Sequence, residues 1–97
     1  MEQVKIVLTP KSRGFHIITD EILSKLPTLP AVGLLHLFIQ HTSAAICINE
    51  NADPTVLSDM NQWFDRNIKE NEPYYQHTFE GPDDMPAHIK SVLTGTE

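Results

Sequence analysis

The sequence predicts an α+β domain built on an antiparallel or mixed sheet. Two observations carry that expectation. Alternating and strongly apolar runs dominate the first half of the chain, and the longer helical patterns come only from Asp53-Pro54 onward. A length of 97 residues suits one domain over 1–97 and not two. At that size folding buries roughly 65% of the unfolded chain's surface, which allows a real but marginal core.

Val4, Ile6 and Leu8 share one face while Gln3, Lys5 and Thr9 take the other, the pattern of a half-buried strand, and Pro10 ends it. Gly14 precedes a second short strand, 15–19. Asp20 is placed to cap a short helix over 21–26, stopped by Pro27. Pro27 and Pro30 bracket a loop reaching Gly33. The run 34–40 is apolar on both faces, so a central strand is expected there, with a further strand at 44–49. Asp53 followed by Pro54 is a helix start, a capping carboxylate with proline in the first position. Val56, Leu57, Met60, Trp63, Phe64 and Ile68 then recur at helical spacing and predict one core-facing stripe. Residues 70–82 carry Pro73, Gly81 and Pro82 and no period, so they read as a long and potentially functional loop. A last helix starts near Asp83-Asp84, with Met85, Ile89, Val92 and Leu93 as its stripe and Gly95 as its stop.

Seven lysines and arginines against 13 carboxylates leave a formal charge of −6, which argues against nucleic-acid or anionic-membrane partners. One cysteine, Cys47, excludes a disulfide within the chain and reads as a small buried hydrophobe. No start resembling a secretion signal and no membrane-length apolar run are visible, so a cytoplasmic setting is expected.

Five histidines are present. His41 ends an apolar strand face, His88 flanks the stripe of the last helix, and His77 lies in the long loop. Their imidazoles could converge on a divalent metal, for which zinc is the best match to nitrogen and carboxylate donors. The competing reading makes each a hydrogen-bonded core or surface histidine, which is how His16 and His36 are taken. Asp83 or Asp84 caps the last helix or contributes a carboxylate to such a site. Glu50, with no capping duty, is a candidate general acid or base. Thr42, Ser43, Lys11 and Arg13 could hold a phosphate; the bland reading for the two basic residues is a solvated turn.

These segments also resemble a known family. Ser12-Arg13-Gly14-Phe15-His16-Ile17-Ile18-Thr19, Gln40-His41-Thr42-Ser43-Ala44, Ile48-Asn49-Glu50-Asn51-Ala52-Asp53-Pro54, Tyr75-Gln76-His77 and Gly81-Pro82-Asp83-Asp84-Met85-Pro86-Ala87-His88-Ile89-Lys90 are similar to motifs of the YjbQ-like family, described as secondary thiamine-phosphate synthases. The resemblance runs through essentially the whole chain. It implies a β-sandwich-like sheet flanked by helices, a homotrimer, and a metal site on His41, His77 and His88 with Asp84. Zinc is the first expectation for the metal and magnesium the second. It also implies a small phosphorylated substrate held by Arg13, Thr42, Ser43 and Asn51, with His41 and Glu50 catalytic, in a reaction joining a pyrimidine diphosphate to a thiazole phosphate. Family members continue into further strands with a Gly-Thr-Trp-Gln motif, so this chain is expected to lack them and to leave sheet edges open. Two other functions fit the same residues: a metal or phosphorylated-ligand binding module without turnover, and an interaction subunit completed by another chain.

Overall fold

A computed structural model describes residues 1–97. The element order is α1 (Thr19–Lys25), α2 (Pro54–Asn67) and α3 (Asp84–Thr94), with no β-strand in the chain. Two compact units are present, Met1–Leu34 and Leu35–Glu97. No helix is long and apolar enough to cross a membrane.

The expected α+β class, with its sandwich-like sheet, is therefore corrected. Alternation along a segment states which side chains prefer water, whereas a strand exists only if a neighbour accepts and donates its backbone hydrogen bonds. The four segments read as strands find no such neighbour in one another, and the second of them ends inside α1. Their apolar side chains stay in water: Val7, Leu34, Phe38 and Ile48 are all exposed, Leu34 and Ile48 fully so. The buried apolar set is accordingly small, with Ile22 in the first unit and Ile68 in the second, beside a fully buried Pro86.

In the N-terminal unit α1 starts at Thr19, with Ile18 and not Asp20 in the capping position and no side-chain cap. Asp20 and Glu21 instead lie in the first turn, where the helix dipole favours negative charge. Glu21 gathers the preceding segment. Its carboxylate accepts the Thr9 hydroxyl at 2.9 Å, the Thr9 backbone N–H at 3.2 Å and the Lys11 ammonium at 2.9 Å. Lys11 is thus committed to an ion pair. From the other end of α1, Lys25 donates to the Val7 carbonyl at 2.8 Å. The Lys11 ammonium, followed by the two Thr9 donors, holds the Glu21 carboxyl down from an ordinary 4.5 to about 2.

A depressed carboxyl stabilises the fold above its unfolded pKa, and that contribution is lost as pH falls through the folded value. Urea denaturation should therefore show wild type more stable than Glu21→Gln near neutral pH. The gap should narrow as pH falls from 4.5 towards 2. A gap independent of pH across that window would show that the Glu21 charge contributes nothing to stability.

In the second unit α2 forms as its ends dictate. Asp53 accepts the Thr55 backbone N–H at 2.9 Å and the Thr55 hydroxyl at 2.7 Å, and Pro54 takes the first helical position. These two donors, the backbone N–H first, pull the Asp53 carboxyl below its usual range. Val56, Leu57, Met60 and Phe64 are half-buried. Trp63, expected in the core, is 55% exposed and meets the Phe64 ring edge-on with centroids 5.2 Å apart. Ile68 closes the helix by donating its N–H to the Phe64 carbonyl at 2.8 Å and buries its side chain. Cys47, expected to be buried, is exposed.

The third helix carries the site. Asp83 occupies its capping position, one of the two aspartates expected there, but makes no side-chain capping bond, and Asp84 lies in the first turn. Pro86 is tolerated in the first turn because the N–H it lacks would have had no helical acceptor. Gly95 ends the helix at φ 99°, a conformation that side-chain-bearing residues rarely adopt, and returns its N–H to the Ser91 carbonyl at 2.9 Å. The chain beyond this exit is tied to the apolar segment 36–46. Thr96 accepts the Ile39 N–H at 2.9 Å and Gly95 accepts the Ile46 N–H at 3.1 Å. His36 meets the Glu97 carboxylate at 2.6 Å. The buried Ser91 hydroxyl donates to the Ala44 carbonyl at 3.0 Å. The 42–44 bend is thereby held against one side of α3.

Candidate metal centre

Asp84 and His88 are four residues apart on α3, so their side chains share one face of its first turn. The loop before the helix brings His77 to the same place. Asp84 Oδ2 lies 2.8 Å from His77 Nε2 and 3.2 Å from His88 Nε2. The two imidazoles meet edge to face, with centroids 5.3 Å apart. One donor atom from each of the three residues falls within 4.8 Å of the others. Asp84 is the best shielded of the three, at 17% side-chain exposure, while His77 is open to solvent at 49%.

The hydrogen bonds around His88 bear on what this cluster can do. His88 Nδ1 lies 2.9 Å from the Thr42 carbonyl, which can only accept. A neutral imidazole has one N–H, and that carbonyl places it at Nδ1. The Nε2 lone pair then points at a carboxylate oxygen, an arrangement that a proton or a metal cation between them satisfies. Two imidazole nitrogens and one carboxylate oxygen are a donor set that suits zinc or another divalent transition metal and leaves a coordination position for water or a ligand. It suits magnesium less, since that ion prefers oxygen donors and retained water. The residues present therefore fit a divalent metal, with the Thr42 carbonyl orienting one ligand from behind.

The other expected site residues are distributed differently. His41 is exposed and stands outside the three-residue group. Its Nδ1 accepts the Ser43 backbone N–H at 2.9 Å and lies 3.2 Å from the Ser43 hydroxyl. Thr42 reaches the centre through its backbone carbonyl. Glu50 and Asn51 are exposed, and Glu50 receives the Asn49 side-chain oxygen on its own backbone N–H at 2.7 Å. Arg13 belongs to the N-terminal unit, whereas Thr42, Ser43, Glu50 and Asn51 belong to the second. The sequence reading did not single out the Thr42 carbonyl, which has no side-chain signature. It also passed over the Asp84–His88 spacing, whose four-residue interval on a helix was the available signal for choosing Asp84 over Asp83.

Beside His77 the loop shapes a small cavity. Glu72-Pro73-Tyr74-Tyr75 makes a turn in which the Tyr75 N–H reaches the Glu72 carbonyl at 3.0 Å, with proline in its favoured second position. The Tyr75 hydroxyl donates to the Lys69 carbonyl at 3.1 Å. Burial first, then the neighbouring Tyr74 and Glu72, pushes the Tyr75 hydroxyl above its ordinary pKa, so it stays protonated.

A helical scaffold carrying a two-histidine, one-carboxylate cluster defines a candidate metal-binding protein. Sequence comparison gives its family: residues 4–97 match the profile of the UPF0047 protein YjbQ-like family, and the chain belongs to that family. It is 54% identical over 96 residues to the UPF0047 protein YjbQ of Escherichia coli O157:H7, covering 97% of this chain and 69% of that protein. It is also 54% identical over 95 residues to the YjbQ protein of Salmonella typhimurium, covering 96% of this chain and 68% of that protein. A UPF0047 protein of Synechocystis is 52% identical over 64 residues, or 66% of this chain and 44% of that protein. No solved structure matches the chain.

Proposed function

We propose that the chain is a divalent-metal-dependent transferase acting on a small phosphorylated substrate, with zinc held by His77, Asp84 and His88. The observation that supports this most is the convergence of those three donors around Asp84 Oδ2. A bound cation supplies Lewis-acid neutralisation of charge on a phosphate or diphosphate oxygen. The chain's own groups do the rest. The Thr42 carbonyl fixes the His88 ring, and the Thr42 and Ser43 hydroxyls, with Asn51, are donors for phosphate oxygens. Glu50 and His41 exchange protons with the reacting groups.

The reaction class we propose follows the family resemblance. A thiazole-phosphate ring nitrogen forms a bond to the methylene carbon of a pyrimidine diphosphate, and the carbon–oxygen bond to the diphosphate breaks. We propose a homotrimer as the assembly, on the same resemblance. A second reading, a metal and phosphorylated-ligand binding module without turnover, is favoured by one observation: Glu50 and His41 are not among the groups gathered with the three donors.

The test is native mass spectrometry of chelator-stripped chain titrated with zinc, followed by turnover measurements with the two thiamine precursors. One zinc per chain, lost in His88→Ala, together with product formation, is the expected result. Zinc binding without product leaves the binding module, and no zinc binding removes both readings.

A further inference from the structure

We propose that the cavity beside His77 is a binding subsite for the amine-bearing end of a small ligand. The cavity has a volume of about 190 Å³ and is lined by Asn71, Glu72, Tyr75, His77, Thr78 and Met85 among others, with no lysine or arginine. That volume suits a single ring or a short chain and is well below the few hundred Å³ typical of drug-sized sites. His77 belongs both to this wall and to the three-donor cluster, and Met85 follows Asp84 in sequence, so the two sites adjoin.

The chemistry of the lining selects the ligand. Glu72 supplies a carboxylate, the tethered Tyr75 an aromatic ring, and Met85 with Pro82 an apolar wall. A carboxylate and an aromatic ring are together the recognition elements of an ammonium group. The local sequence leans the same way: segment 70–89 has five carboxylates and no lysine or arginine, with Lys69 and Lys90 at its two ends. With Glu72 as the formally charged side chain in the lining, a protonated amine is favoured there over an anion. The inference deepens the proposed function, on which it rests only for what the ligand's other end does. A ligand with a phosphate or other anionic group towards the three donors and an amine in the cavity fits both.

The test uses the full chain with carbon-13-labelled methionine methyl groups, zinc-loaded and chelator-stripped, and three probes: benzylamine, benzyl alcohol and benzoate. Benzylamine should shift the Met85 methyl resonance saturably and leave Met1 and Met60 unmoved. Benzyl alcohol and benzoate should bind at least about fivefold more weakly, the scale of a partly exposed charge interaction. Glu72→Gln should weaken benzylamine by a similar factor with its zinc titration unchanged. Equal binding of alcohol and amine, no Met85 shift, or an unaltered Glu72→Gln curve overturns the subsite. The zinc titration is read separately, so loss of metal binding with amine binding intact overturns the metal reading alone.

Discussion

Replacing Asp84 with alanine is expected to weaken zinc binding by on the order of 100-fold or more. Changing a group that merely orients a metal ligand costs about 10- to 100-fold. Asp84 does more than orient: Oδ2 is the atom that both histidine Nε2 nitrogens face, at 2.8 and 3.2 Å. Without it the two imidazoles lose their only shared partner, and the remaining set has two neutral donors and no negative charge. Asp84→Asn separates charge from shape. It preserves a hydrogen-bonding oxygen of the same size but lacks the anion, and should also bind zinc much more weakly than wild type. The helix should survive either change. Asp84 is the first residue of α3 and favours its dipole by only about 0.3–1 kcal/mol. Competition against a chromophoric chelator gives the affinities, and far-ultraviolet circular dichroism checks the helix content. Superimposable zinc curves for wild type and Asp84→Ala would remove Asp84 from the metal site.

The second large effect is on stability. Ile68→Ala should destabilise the second unit by about 3 kcal/mol, within the range for truncating a buried isoleucine. Ile68 is 6% exposed and is the buried apolar side chain of that unit apart from Pro86. Nearby half-buried residues of α2 lean on a core that has little else in it. The backbone bond from Ile68 to Phe64 persists in alanine, so the loss isolates the side chain. For a chain of this length about 3 kcal/mol lowers the thermal midpoint by more than about 10 °C. Val92→Ala on α3, at 84% exposure, is the control and should change stability by less than about 0.5 kcal/mol. Equal shifts in the two variants, measured by thermal denaturation, would mean that Ile68 is no more a core residue than Val92.

How far the fold could be read in advance depended on the range of the interactions involved. The bounds of α2 followed from Asp53-Pro54 and a stripe ending at Ile68, because capping and periodicity act within a few residues. The end of α3 at Gly95 was legible for the same reason. The strands expected at 4–8, 15–19, 34–40 and 44–49 do not form, because strand pairing is non-local and no alternation at Val4 or Leu35 specifies a partner. Helical spacing predicts a buried Trp63 and residue type a buried Cys47, but only neighbours can bury a side chain. At the site, His77 and His88 stood out by their segments. Which aspartate accompanies them depended on helix phase, and the Thr42 carbonyl on the path of the backbone.

The exposed apolar side chains described for the segments around Val7, Leu34, Phe38 and Ile48 have a consequence for how the chain behaves in solution. Large apolar side chains exposed to water favour self-association. Opposing it is mutual repulsion between molecules that each carry a formal charge of −6. The apolar attraction is little weakened by simple salt, whereas the repulsion has a range of about 10 Å at 0.1 M ionic strength and about 3 Å at 1 M. Colloidal stability of this protein is thus an electrostatic property, and ionic strength is the variable that sets the concentration at which it leaves solution.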